Sequence, residues 1–219
     1  MRCVVISLED EGVQRRELLE MWTQSVFGEK VVVSYHLPRK HPVSSQHGAF
    51  HSVFEVIEKA YNDGEKHLML FEDIVKPTEH CDMDKLFEYV HKLDSTVPSW
   101  EVLYLGHFLI QVLDKVFPGV VEGFCIATHA IVLSRQGMKH LLMELPKYWG
   151  IPDIVKPIDM AIIEILKNSR KVTFATVPVM FSQTGHDMIH QSFEQDVVKH
   201  FDQKEKESVQ IHKQLYEGS

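Results

Sequence analysis

Strand-like and helix-like periods alternate along this chain, and that order limits the folds open to it more than any single residue does. Arg2 to Leu8 is apolar and β-branched, a strand. Val13 to Ser25 has helical spacing with Leu18, Leu19 and Trp22 inward, and Lys30 to Tyr35 is a second strand. Beyond a two-proline loop from Pro38 to Ser45, Phe50, Val53, Phe54, Ile57 and Tyr61 recur at i, i+3, i+4, i+7 and i+11. That is an amphipathic helix, closed by the Asn62-Asp63-Gly64 turn. A third strand runs from His67 to Ile74, Met83, Leu86, Phe87 and Val90 mark the next helix, and Trp100 to Leu105 is a strand ending at Gly106. Strands joined through helices lie parallel, so this βαβαβαβ order predicts a mostly parallel, Rossmann-type α/β sheet with helices on both faces.

After Gly106 the pattern loosens through Val112 to Gly119. Phe124 to Leu133 reads as a strand, and Ser134 is suited to cap the helix carrying Met138, Leu141, Leu142 and Leu145. Pro146 to Pro157 is a loop with three prolines; Ile158, Ala161, Ile162, Ile165 and Leu166 give another helix, and Val172 to Phe181 a last strand. From Asp196 the chain turns polar and contains no Pro, which predicts one domain over 1–195 and a polar helical tail over 196–219 with a structural or homo-oligomeric role.

Composition removes several function classes. A chain of 219 residues with 44% apolar content can bury a full core. No stretch approaches the roughly 20 apolar residues that span a bilayer. A strand starting at Arg2 leaves no room for a signal peptide, so the expected location is cytoplasmic, with peripheral membrane contact still compatible. Cys3, Cys81 and Cys125 are too few and too scattered for a disulfide framework or zinc knuckle and read as reduced thiols. A net charge of −8 argues against nucleic acid as the main partner. Among 14 histidines, His47/His51 and His186/His190 have i, i+4 spacing, yet neither pair has the adjacent Glu of the zinc-protease pattern.

The strand His67-Leu68-Met69-Leu70-Phe71 ends abruptly in Glu72-Asp73. In open α/β sheets ligands bind at that edge, so paired acids there suit a ligand site as well as a strand meeting solvent.

Three ordered blocks resemble glycosyltransferase family 25, which contains bacterial lipooligosaccharide and animal procollagen galactosyltransferases. They are Gly48-Ala49-Phe50-His51-Ser52, Gly64 through Asp73, and Trp100-Glu101-Val102-Leu103-Tyr104-Leu105-Gly106. His129 through Leu142 is similar to its most distinctive downstream block, Pro157-Ile158-Asp159 to its Pro-x-Asp, and Val177 through Gln183 to its closing strand. The resemblance implies a GT-A-like fold that binds a UDP-sugar across the strand tips. It implies inverting transfer of galactose or glucose to a hydroxyl of a glycan, lipid-linked saccharide or protein. Such a site must hold the diphosphate, neutralise the departing charge and take the acceptor proton. Mn2+ or Mg2+ usually supplies the second of these.

The chain departs from the family at the strand tip. Where the family has Glu-Asp-Asp the third residue is Ile74, which cannot ligate a metal. Asp73 then holds a metal alone, transfer proceeds without metal, or turnover has been lost. Ser52-Val53 stands for the family's Ser-His, and Glu9-Asp10-Glu11 precedes the retained Arg15-Arg16 pair. The resemblance assigns donor contacts to Ser7, Leu8, Arg15, Ser52, Glu72, Asp73 and Gly106, any metal to Asp73, and catalytic roles to Asp159 and His129; His107, just after Gly106 at a strand tip, joins the donor contacts by its position. Each has a structural alternative: a turn cap for Asp73, a first-turn helix residue for Asp159, a core imidazole for His129, a solvated helix face for Arg15. Rival functions are a homologue that binds sugar nucleotide or glycan without turnover, and an unrelated nucleotide-binding α/β enzyme. The missing G-x-G-x-x-G and P-loop patterns disfavour the second.

Overall fold

The computed structural model describes residues 1–149, 157–169 and 173–183. Its central sheet has the order β2-β1-β3-β6-β5-β7. The strands are β1 (Arg2–Ile6), β2 (Val32–His36), β3 (His67–Glu72), β5 (Val102–Phe117), β6 (Val120–Ser134) and β7 (Thr173–Thr176). A second, two-stranded sheet pairs β4 (Val75–Pro77) with β8 (Phe181–Gln183). The helices are α1 (Val13–Phe27), α2 (Ser45–Asn62), α3 (Met83–Thr96), α4 (Arg135–Glu144), α5 (Pro146–Trp149) and α6 (Ile158–Asn168). The result is one α/β domain with a mixed sheet and helices on both faces. β2-β1-β3 is parallel, while β6 runs antiparallel to both β3 and β5.

Both faces of the inner strands are buried, which is why their sequences read as continuous apolar runs. Val4, Leu68, Leu70, Val102, Tyr104, Ile131 and Leu133 point into one core, with Phe50, Val53 and Ile57 of α2, Met138 and Leu141 of α4, and Ile162 and Ile165 of α6. Their alternating neighbours Cys3, Val5, Met69, Phe71, Leu103 and Val132 meet Leu19 and Phe27 of α1 and Leu86, Val90 and Leu93 of α3. The period of two thus sorts each strand between two helical layers. Ser134 caps α4 as expected, its Oγ accepting from Gly137 N at 3.1 Å.

Four expectations need correction. Gly106 does not end its strand: β5 runs on to Phe117, turns at Gly119 (φ 88°) and returns as β6, starting at Val120 rather than Phe124. Repeated register shifts along this pair break the alternation, so its sequence loosens although the backbone stays extended. Leu18 is exposed, because α1 buries Leu19, Thr23 and Phe27 at i, i+4 spacing. The four residues Pro146–Trp149 form a short helix rather than loop. The closing strand divides into β7 and β8 around Pro178, which cannot donate to a ladder. The tail from Asp196 and the pair His186/His190 lie outside the described residues.

Candidate functional site

The C-terminal tips of β1, β2 and β3 and the N-terminal half of α2 enclose a cavity of about 340 Å³, within the size range of small-ligand sites. The chain is drawn tight here. Ser7 N donates to His36 O (3.0 Å), Glu9 N to Pro38 O (3.1 Å) and Asp73 N to Ile6 O (3.2 Å), so the loops leaving the three strands hold one another.

Asp73 lines this cavity directly after β3. Its Oδ2 accepts from Ser7 Oγ at 2.7 Å and lies 3.0 Å from Arg15 Nε, an ion pair whose N–H is not aligned for a hydrogen bond. The Arg15-Arg16 pair divides its work. Arg16 donates from Nη1 to Ser7 Oγ (2.9 Å) and Leu8 O (2.6 Å), and from Nη2 to Glu9 O (2.8 Å), pinning the loop after β1. Gly12 is required for this fold-back, since a Cβ there would collide with Ser7 Oγ and lie 2.8 Å from Arg16 Nη1. Among the described residues Arg15 has only the Asp73 ion pair, and its Nη1 and Nη2 bond none of them.

Glu72 is set by a bulge. Between the pairs Gly106↔Ala130 and Phe108↔Ile126, three residues of β6 face one of β5, and Ala127 takes a left-handed φ of 84°. The bulge turns Thr128 so that its Oγ1 donates to Glu72 Oε1 at 2.9 Å. Burial pushes the Glu72 carboxyl above its ordinary range; the Thr128 bond offsets part of this, and the charges of Asp159 and Asp73 add to the rise. Asp159 opens α6 and accepts from Met160 N at 2.8 Å.

Ser7, Leu8, Arg15, Ser52, Glu72 and Asp73 therefore line one cavity, with Ile158, next to Asp159, at its wall. Gly106, His107 and His129 do not line it. His129 is fully buried, with Nδ1 3.1 Å from Gln183 Nε2, and is a core residue rather than a group that meets an acceptor. Gly106 gives that imidazole room, because a Cβ would strike His129 and lie 2.6 Å from Phe181 O. His107 is buried against Thr176 O at 3.0 Å. All three lie within the long β5–β6 pair, Gly106 and His107 on β5 and His129 on β6, rather than at a strand tip. Sequence reasoning missed Arg16, Gly12 and Thr128. The Gly12 and Arg16 spacing was readable, but the bulge that presents Thr128 leaves no local sequence signal.

A divalent ion bound by protein needs several hard oxygen ligands converging on one point. Among the described residues no three His, Cys, Asp or Glu side chains are so grouped. Asp73 already faces a guanidinium, Glu72 is tied to Thr128 and biased toward its neutral form, and the Ile74 side chain has no ligating atom. This donor set does not fit a resident metal.

No sequence-family model and no curated protein matches the chain. Among solved structures, a glycosyltransferase involved in glycosylating the major capsid of PBCV-1 superposes with TM-score 0.54 at 10% identity, covering 89% of this chain and 98% of that one. A UDP-glucose pyrophosphorylase complexed with UDP-glucose gives TM-score 0.45 at 10% identity over 90% and 98%. A197 from STIV gives 0.45 at 14% identity over 80% of each chain. The match to the PBCV-1 protein shows a GT-A-like fold, and the likeness stops at the fold. Among the described residues no helix is long and apolar enough to cross a membrane.

Proposed function

We propose that the chain is a UDP-sugar-dependent glycosyltransferase related to glycosyltransferase family 25, transferring galactose or glucose with inversion to a glycan, lipid-linked or protein hydroxyl. The observation that carries this reading is the convergence of Ser7, Arg15, Ser52, Glu72 and Asp73 on one cavity at the strand tips. The apolar wall of Ile6, Ala49, Val53 and Ile158 suits the base and ribose. Arg15 faces the diphosphate, with Arg39 and Lys40 at the rim. Inverting displacement needs a base opposite the leaving group. Asp159, oriented by Met160 N at the start of α6, takes the acceptor proton. Glu72, whose proton is retained to higher pH, binds a sugar hydroxyl as donor or acceptor according to its charge. No step calls on Mn2+ or Mg2+.

The test is calorimetric titration with UDP, followed by donor hydrolysis and transfer assays over a panel of nucleotide sugars. Binding of UDP with slow hydrolysis of one donor supports the transferase and names its sugar. Binding without hydrolysis or transfer replaces it with a catalytically impaired, sugar-nucleotide-binding homologue. No binding of any nucleotide overturns the reading.

A further inference from the structure

Two adjacent arginines enter the site with opposite assignments. Arg16 braces the loop after β1, and its terminal nitrogens are consumed by Ser7, Leu8 and Glu9. Arg15 is anchored from behind, through Nε alone, by a carboxylate that Ser7 also holds. A guanidinium tethered at Nε presents its Nη1–Nη2 edge as a two-pronged donor, the geometry that matches phosphate oxygens. Arg15 lines the cavity, and its Nη1 and Nη2 bond no described residue. The other cations on this rim are spoken for at longer range: Arg39 lies 3.2 Å from Glu9 and Lys40 3.5 Å from Glu11, both strongly exposed.

The same atoms argue against a metal in that place. A dication on Asp73 would sit beside a guanidinium already 3.0 Å from its Oδ2, and like charges that close repel. Ile74 removes the neighbouring ligand that could compensate. The cation that Asp73 holds is therefore a side chain.

We infer that Arg15 is the charge-neutralising group for a nucleoside diphosphate in this cavity, so that the chain grips the diphosphate without a divalent cation. This rests on the nucleotide-sugar reading above and narrows it: Asp73 positions Arg15, Arg16 positions Asp73 through Ser7, and the arginine fork meets the leaving group.

The experiment titrates the full chain with UDP and with uridine, in EDTA and in Mn2+, for the wild type, Arg15→Ala and Arg15→Lys. Expected are equal UDP affinities within about twofold with and without Mn2+. Arg15→Ala should weaken UDP by about 10- to 100-fold, the size of one or two charged hydrogen bonds, while uridine affinity stays unchanged. Arg15→Lys should recover part of the loss, since a point charge keeps attraction but not the fork. Unchanged uridine binding shows that the variant cavity is folded. UDP binding that needs Mn2+ overturns the inference and leaves the transferase reading intact, as does an Arg15→Ala chain that binds UDP normally in EDTA. Failure of wild type to bind either ligand in either buffer overturns both.

Discussion

Two carboxyl groups in this protein each face a nitrogen-bearing side chain, and the pairs serve different ends. Glu101, at the start of β5, is buried, and its Oε2 accepts from His140 Nδ1 at 2.6 Å; the far side of that imidazole shares a 2.9 Å hydrogen bond with Ser169 Oγ. Side-chain exposure there is 13% for His140 and 2% for Glu101, and both ring nitrogens are used within the fold. Arg15 and Asp73 are 42% and 9% exposed, and the guanidinium keeps one edge for something else. The first pair ties α4 and the end of α6 to the sheet. The second stores a positioned charge in the lining of a cavity. Whether a pair is structural or functional is decided by what remains unbonded after the fold has taken its share.

Breaking the first pair should cost the most. His140→Ala removes the 2.6 Å partner of Glu101 and one tie between α4, α6 and the sheet, so about 1–3 kcal/mol of unfolding free energy should disappear, read by denaturant titration. UDP affinity of the remaining folded protein should not change, and a loss of binding in step with stability would erase the contrast between the two pairs.

Asp73→Asn attacks the second pair and should reverse the pattern. Stability should fall by about 1 kcal/mol, the worth of one partly exposed polar contact, while UDP binding is lost because Arg15 is no longer held. A large drop in melting temperature would make Asp73 a structural residue like Glu101.

Glu72 sharpens the comparison through pH. Its folded-state pKa lies above the unfolded value, so the folded chain holds the proton to higher pH, and ionising Glu72 costs stability as pH rises from the carboxylate range through the folded pKa. Glu72→Gln should therefore melt higher than wild type at neutral pH and lose that advantage near pH 4. An equal difference at both values would assign the effect to packing.

The smallest effect is expected at Tyr104, whose fully buried hydroxyl has no hydrogen-bond partner among the described residues. Burial, with the charges of Cys125 and Asp159, pushes its ionisation up. Tyr104→Phe should leave stability within about 1 kcal/mol of wild type, or raise it, because no bond is broken. A loss well beyond this would reveal a partner for the hydroxyl.

Much of the scaffold was legible in the chain. The alternation of Cys3, Val4 and Val5, or of Leu68, Met69, Leu70 and Phe71, shows strands buried on both faces, and Glu72-Asp73 marks where that burial stops. The helix over Phe50 to Tyr61 and the Ser134 cap followed from spacing and from one side-chain oxygen. Leu18 was misjudged because a stripe drawn on a helical wheel does not show which neighbouring turn the sheet covers. The long β5–β6 hairpin was missed because its shifts in register are backbone events with no residue type attached.

The site was legible in part for the same reason. Residues near a strand tip in sequence, such as Ser7, Glu72 and Asp73, must lie at one sheet edge once the strands are parallel neighbours. His129 and His107 are also strand residues, but the bulge at Ala127 to His129 and the packing of Gly106 decide which face they meet, and that face is the core. Local sequence determined most of the helices and the parallel strands, their double burial and the acids at the tip of β3, because propensity and periodicity act between residues a few positions apart. Only the tertiary structure decided that Arg16 builds the loop while Arg15 keeps an open edge and that Thr128 reaches Glu72, because those outcomes depend on groups brought together from distant parts of the chain.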